Sequence, residues 1–298
     1  MDIVTHAGIG LVVAAPFMAE RPELAAGLVL GSVLPDLDAL SRVFGKCAFL
    51  RFHQTWSHAL PVQALASVAA GWIATRFGLD GLALALGLFI GLAIHTLLDL
   101  SNTLGVKVFT PFSMRRFCLE WVFFIDSVIL PLTVFAVGLM IRGYFEGAAP
   151  ISVTVIFLAL LLLYIGSKGL LRTRAGKFVP EAMTLIPSAL KPWRFFGVIE
   201  SGNSVEFFQI NAIIGNRQTL TRQKVLDGDY AGLLSNVPCF RLMCELSPAY
   251  HVVSAKMTEA GELIMCRDLR TRNFGTTFGD LEILLDANRK IVRTTFHV

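Results

Sequence analysis

Long runs of apolar residues dominate the first 170 positions, and their length predicts helices rather than strands. Four runs approach the roughly 20 residues that a helix needs to cross the hydrocarbon core of a bilayer. These runs are residues 59–75, 82–98, 121–141 and 151–167. Two shorter runs, residues 7–19 and 24–34, flank a polar turn in which Pro22 ends any continuous helix. The pattern predicts a polytopic α-helical membrane domain of four to six apolar helices over residues 1–178.

The pattern changes after a linker at residues 179–192, which Pro180, Pro187 and Pro192 punctuate. Short alternating runs follow, rich in Val, Ile, Phe and Thr and bounded by Gly, Asn, Pro or Asp. Such runs are typical of antiparallel strands. We therefore expect a small antiparallel β-rich domain over residues 193–298. It contains no catalytic constellation, and it could cover a site, bind an unidentified protein partner or sense a ligand.

Charges in the short loops indicate how the helices are oriented. The loops at residues 35–58 and 100–120 carry three Lys or Arg each, and four more follow the last apolar run. The opposite links, at residues 76–81 and 142–150, carry one each. Because cytoplasmic loops collect Lys and Arg, the charged face and the β-rich domain should be cytoplasmic. The first six residues hold an acid and neither Lys nor Arg, which does not resemble a secretory signal.

Composition supports a membrane protein, since 16% of the residues are charged and 54% are hydrophobic, whereas soluble domains carry about a quarter charged residues. Residues 171–298 carry sixteen basic and twelve acidic residues. This mild balance argues against a nucleic-acid partner, which normally needs a concentrated basic face. The five cysteines are odd in number and show no CxxC spacing. We interpret them as thiols of a reducing compartment, without a disulfide framework or a cysteine zinc site.

Seven His and Asp residues fall at the cytoplasmic ends of the apolar runs: His6, Asp36, Asp38, His53, His58, His95 and Asp99. Neutral imidazole and carboxylate are ligands of zinc and comparable divalent ions, and ionisable residues at membrane depth are functional candidates. His95 and Asp99 would share one helix face. We predict a divalent metal site, zinc or alternatively manganese, with all of these except Asp38 as ligands. Asp38 is the predicted general base and catalytic residue.

Asp126 lies about a turn inside the run at residues 121–141. Two interpretations stay open for it. It could hold a metal-ligating histidine in place without binding the metal itself, or it could pair with a polar residue inside the helical bundle.

Four motifs resemble those of a known family: DIVTHAGIG with His6, LPDLD with Asp36 and Asp38, HTLLDLSNTLG with His95 and Asp99, and the loop GVKVFTPFSMRRF. Over roughly residues 1–180 the chain is similar to the bacterial inner-membrane metal-dependent hydrolases of the YdjM/YfhP type. The resemblance implies a multi-pass inner-membrane location. Where the family commonly has Arg after the first histidine of its HRxxTHS motif, this chain has Gln54, which weakens any inference of phosphate binding.

We therefore expect a membrane-embedded metal-dependent hydrolase that acts on an ester or phosphoester at the cytoplasmic interface. A lipid or lipid-linked substrate is expected from the position of the site alone. The alternative is a non-catalytic membrane protein with a structural or sensory metal site and a partner-binding β domain. An ion or proton pathway through Asp126 and His95 is disfavoured, because the far face carries almost no ionisable residues.

Overall fold

The computed structural model describes residues 1–146, 151–270 and 277–297. The far-face link predicted at residues 142–150 therefore lies partly outside the described residues. The chain forms two compact units. The helical unit consists of Met1–Leu40 and Phe52–Leu170, and the C-terminal unit of Ser41–Arg51 and Leu171–Val298.

Apolar helices build the helical unit, as the sequence pattern predicts. The helices that precede the first strand are α1 (Ile3–Ala14), α2 (Pro22–Val33), α3 (Lys46–Phe52), α4 (Leu60–Arg76), α5 (Gly81–Leu100), α6 (Ile129–Phe145) and α7 (Ile151–Phe178). Among the described residues, three helical stretches are long and apolar enough to cross a membrane: Pro22–Phe44, Gly81–Leu100 and Ile151–Phe178. Ile3–Phe17 and Ile129–Phe145 are shorter apolar helices. The predicted polytopic helical domain is confirmed.

Glycines allow α2 and α5 to pack with their backbones in contact. Gly27 and Gly31 on α2 face Gly87 and Gly91 on α5, and a Cβ atom at any of the four would overlap the opposite backbone. Membrane helices approach this closely where small residues recur at four-residue spacing. The close approach places the end of α2 beside the end of α5.

The predicted helical run at residues 121–141 is wrong in its first part, because α6 begins only at Ile129. The backbone N–H groups of Trp121 and Val122 donate to the carbonyl oxygen of Ser101. The carboxylate of Asp126 then accepts from the N–H of Val128 at 2.9 Å, and so satisfies a donor just before the helix begins. An apolar run alone cannot reveal that its backbone pairs outside a helix.

Two antiparallel four-stranded sheets form the C-terminal unit. Their strands are β1 (Thr184–Pro187), β2 (Arg194–Ser201), β3 (Ser204–Asn211), β4 (Arg217–Lys224), β5 (Tyr250–Thr258), β6 (Gly261–Asp268), β7 (Leu281–Leu285) and β8 (Ile291–Phe296). Two short helices, α8 (Asp227–Leu234) and α9 (Pro238–Leu246), connect the sheets. The β-rich character predicted for this part of the chain is confirmed.

One segment from the first part of the chain packs into the C-terminal unit. Leu50 of α3 is buried in the same core as Met243 of α9 and Ile283 of β7. Cys47 of α3 is bonded to Cys239 of α9, 192 residues further along the chain. The predicted domain limits do not anticipate this insertion. The interpretation of all five cysteines as thiols is wrong for this pair. Cysteine spacing could not reveal the bond, since only the tertiary fold brings residues so distant in sequence together.

Candidate metal centre

Four of the predicted ligands converge in the helical unit. Asp36, His58, His95 and Asp99 each offer one ligand atom, and these atoms all lie within 4.8 Å of one another. Asp36 belongs to the 3₁₀ stretch that follows α2, and His58 precedes α4 by two residues. His95 and Asp99 lie one turn apart near the end of α5. The side chains of the last three are fully buried, while that of Asp36 is 12% exposed.

The protonation of His95 follows from its hydrogen bond to the main chain. Its Nδ1 atom lies 2.8 Å from the carbonyl oxygen of Ser32. A carbonyl oxygen can only accept, so Nδ1 carries the proton. In the neutral ring Nε2 therefore presents a lone pair, 3.5 Å from an oxygen of Asp36 and 3.7 Å from an oxygen of Asp99. The contact of α2 with α5 thus selects the tautomer that can bind a metal through Nε2.

His58 is held in the same tautomer by a chain of two hydrogen bonds. The hydroxyl of Ser57 donates to the carboxylate of Asp38, and a carboxylate can only accept. The oxygen of Ser57 is then left to accept from His58 Nδ1, which is 2.9 Å away. Nε2 of His58 therefore also presents a lone pair. Burial lowers the pKa of His58 to about 4, which keeps the ring neutral at physiological pH.

These two lone pairs point at each other. The Nε2 atoms of His58 and His95 are 3.2 Å apart, and Nε2 of His58 is 3.2 Å from an oxygen of Asp99. Both imidazole protons are already used on the far sides of the rings, so none remains to bridge these acceptors. A buried group of acceptors without a shared donor is costly. A divalent cation would satisfy all of them, and the set matches the nitrogen and oxygen ligands that zinc takes.

His6 contacts the same carboxylate without belonging to the group of four. Its Nε2 atom is 3.1 Å from Asp99 Oδ1, and its ring stacks on that of His95 with 3.7 Å between centroids. The amino nitrogen of Met1 also contacts Asp99 Oδ1. Asp99 thus faces His6 with one oxygen and His58 with the other.

Asp38 and His53 lie beside the group and contact each other. Nδ1 of His53 is 2.6 Å from Asp38 Oδ1, and the backbone N–H of Gln54 donates to Asp38 Oδ2 at 2.9 Å. Together with the bond from Ser57, these contacts make Asp38 the acceptor that organises the loop before α4. The predicted roles of His53 as a ligand and of Asp38 as a general base stay predictions.

Gln54 contributes to the centre in a way that the sequence analysis missed. It is 4% exposed, and its side-chain nitrogen donates to Asp99 Oδ2 at 3.1 Å. Its backbone has a φ of 57°, a left-handed conformation that turns the chain between His53 and His58. The departure from the family's arginine marks the position, but only the fold shows that the amide reaches Asp99.

Asp126 has no contact with the histidines of the centre. One of its oxygens accepts from the N–H groups of Val128 and Ile129 and from the hydroxyl of Tyr164 at 2.9 Å. Its other oxygen is buried and has no hydrogen-bond partner among the described residues. Of the two interpretations left open, these contacts favour pairing inside the bundle over support of a metal ligand.

Comparison with known proteins supports the family resemblance. The model of the YdjM inner membrane protein family matches residues 1–175, a range that contains every residue of the centre. The uncharacterized protein YfhP of Bacillus subtilis (strain 168) is 24% identical over 177 residues, which cover 56% of this chain and 52% of YfhP. The chain thus spans about half the length of this curated relative. No solved structure matches the chain.

Proposed function

The chain belongs to the YdjM inner membrane protein family, and on that premise we propose that it is a membrane-embedded, metal-dependent hydrolase. The observation that carries the proposal is the pair of buried Nε2 lone pairs, 3.2 Å apart, with the carboxylate of Asp99 beside them. A site of this kind is built to hold a cation rather than a proton. Zinc is the ion that we propose first, with manganese as the alternative.

The residues divide into a ligand set and a proton-accepting set. Asp36, His58, His95 and Asp99 would hold the ion, with His6 supporting Asp99 from the other side. When bound, a divalent ion polarises an ester or phosphoester oxygen and acidifies water. Asp38 would accept the proton released in hydrolysis. The hydrogen bond between His53 and Asp38 gives that proton a path toward the partly exposed ring of His53.

We propose a lipid or a lipid-linked molecule as the substrate. The support comes from apolar side chains next to the ligands. Leu37, which follows Asp36, is 46% exposed, and Leu40 is 65% exposed. Trp56, between His53 and His58, is 46% exposed, and tryptophan is enriched where a protein meets the headgroup region. We place the site at the cytoplasmic surface, in keeping with the loop charges.

Two measurements on the detergent-purified protein test this function. The first is metal content by inductively coupled plasma mass spectrometry, where we expect a stoichiometric divalent ion. The second is a metal-supplemented screen of phosphoester, ester and amide lipids, where we expect turnover that Asp38→Asn abolishes while metal is retained. A well-folded protein that holds metal but turns over none of these lipids would contradict the hydrolase.

A structural or sensory metal site is the second candidate, and one observation favours it. The side chains of His58, His95 and Asp99 are fully buried, and structural metal sites are closed to solvent whereas catalytic sites keep an open position. The partial exposure of Asp36 gives the only opening among these four ligands. If Asp38→Asn leaves metal content and folding unchanged and no lipid is turned over, the structural role is preferred.

A further inference from the structure

Contacts of three kinds attach the short helix α3 to the rest of the C-terminal unit. Leu50 is 4% exposed within the core of that unit. The ammonium group of Lys46 donates to the carbonyl oxygen of Phe296 in β8 at 2.7 Å. The Cα atoms of Cys47 and Cys239 are 5.4 Å apart, which is within the usual range for a disulfide. Only the last of these contacts can be made and broken chemically.

The cysteine pair borders solvent on one side, where Cys47 is partly exposed, while Cys239 is 5% exposed. The pair lines a surface cavity of about 480 Å³ together with Lys46, Asn236, Pro238 and Phe296. A cavity of this size admits a small thiol or disulfide, which must reach a sulfur atom for exchange to occur.

The chain on either side of α3 leads directly to the metal centre. Asp36 and Asp38 precede it, and His53 and His58 follow it. In the helical unit, Asp38 and His53 lie on either side of this segment and contact each other, with 2.6 Å between Asp38 Oδ1 and His53 Nδ1. A constraint on α3 is therefore a constraint on a segment whose two ends carry residues of the site.

We propose that Cys47 and Cys239 are a reversible thiol–disulfide pair that clamps α3 to the C-terminal unit when oxidised and loosens it when reduced. The inference rests on the predicted cytoplasmic position of this unit and not on the hydrolase. In a reducing compartment, disulfides are mostly transient rather than permanent staples. A pair that faces an open cavity there can exchange with the thiol pool.

The oxidant is a small-molecule disulfide. The thiolate of Cys47, which is the more exposed of the two, attacks one sulfur of that disulfide and releases the other as a thiolate. The thiolate of Cys239 then attacks the sulfur of Cys47 and releases the second thiolate. The pair loses two protons and two electrons, and the external disulfide becomes two thiols. Reduction by two thiols reverses both steps.

Thiol trapping in intact cells is the first test, and it uses the full-length protein. Cells are treated with an alkylating reagent with and without a brief exposure to diamide, and the peptides are identified by mass spectrometry. We expect alkylated Cys47 and Cys239 in unstressed cells and a peptide linked through both after diamide. A permanent link in unstressed cells, or no link after diamide, would overturn the proposal.

Hydrogen exchange of the purified full-length protein tests the clamp itself. We expect backbone amides of α3 to exchange at least several-fold faster in the reduced than in the oxidised wild type. Cys47→Ser should exchange at the fast rate in both conditions. Cys244→Ser, which removes an exposed cysteine of the same unit, should behave as the wild type. Equal rates for α3 in oxidised and reduced wild type would show that the pair clamps nothing.

Discussion

Asp99 is the residue that links the groups of the candidate metal centre. Its two oxygens contact His6 on one side and His58 and Gln54 on the other. Such a carboxylate is tolerable in a buried site only if a cation or several donors share its charge. The nitrogen atoms around it include three imidazole nitrogens, and two of these, in His58 and His95, present lone pairs rather than protons toward Asp99.

We predict that Asp99→Asn abolishes stoichiometric metal binding. The amide removes one negative charge, and its N–H₂ group can donate to the histidine lone pairs that would otherwise bind the ion, so the ion loses both attraction and ligands. Metal content of the purified variant checks the prediction. Asp126→Asn is the control, because that buried carboxylate bonds to Tyr164 and to the start of α6. Normal metal content in Asp99→Asn would contradict the assignment.

Glu206 in β3 offers a test by pH that is independent of the metal. It accepts hydrogen bonds from Arg217 and from Arg222, and the bond from Arg217, despite a smaller opposing effect of burial, lowers the pKa of Glu206 from about 4.5 to about 2. Because the pKa is lower in the folded state, the stabilisation is complete above about pH 4.5 and is lost as the pH falls toward 2.

Thermal unfolding of the full-length protein at pH 5 and pH 2.5 measures this effect. We expect Glu206→Gln to be less stable than the wild type at pH 5 and to lose less stability on acidification. Glu200→Gln, at an exposed position of β2, should follow the wild type at both values. If all three proteins lose the same thermal stability between pH 5 and pH 2.5, Glu206 does not contribute to the pH dependence of stability.

The sequence predicted the His and Asp residues of the candidate metal centre because histidine and aspartate are rare in apolar runs and stand out there. It could not supply the groups that orient them. His95 is oriented by the main-chain carbonyl oxygen of Ser32. Every residue has such an oxygen, so no sequence pattern marks this one. In the sequence, Ser57 and Gln54 look like ordinary polar residues. Only the folded loop before α4 shows that both donate hydrogen bonds to Asp38. The sequence pattern placed Asp126 inside a helix, but it lies just before α6. The residues around it are apolar in either case, so the pattern could not tell the two apart.

At the scale of the helices, the metal centre relies on the glycine contacts between α2 and α5. The carbonyl oxygen of Ser32 reaches His95 only because Gly31 and Gly91 let the two backbones meet. Apolar length predicted both helices, and their order along the chain suggested that their cytoplasmic ends are close. How tightly they pack depends on particular glycines at four-residue spacing.

We predict that Gly91→Ala weakens metal binding although it touches no ligand. The added Cβ would overlap the carbonyl oxygen of Leu28, so the helices must separate, at a cost of about 1–3 kcal/mol for overpacking. His95 would then lose its acceptor on α2. We expect both the midpoint temperature of thermal unfolding and the metal content to fall.

Gly138→Ala is the matched control, because a Cβ at that position of α6 has no atom within 4 Å. This variant should keep wild-type stability and metal content. A Gly91→Ala protein that binds metal as tightly as the wild type would show that the contact between α2 and α5 does not set the geometry of His95.

At the scale of the whole molecule, the orientation in the membrane decides what the site and the cysteine pair can meet. Lys and Arg in the loops at residues 35–58 and 100–120 predict that the site faces the cytoplasm. The same count predicts a cytoplasmic C-terminal unit, since α7 ends in a basic segment. A lipid headgroup of the inner leaflet and the cytoplasmic thiol pool would then be the available partners.

Labelling with a membrane-impermeant maleimide tests this orientation in a background without Cys47, Cys118, Cys239 and Cys244. Met257→Cys reports on the C-terminal unit, where position 257 is 79% exposed, and Phe77→Cys reports on the link between α4 and α5, where position 77 is also 79% exposed. We expect Met257→Cys to be labelled in inside-out vesicles and protected in intact spheroplasts, and Phe77→Cys to show the opposite. The reverse result would place the cysteine pair in an oxidising compartment, where a stable disulfide is expected and a reversible one is not.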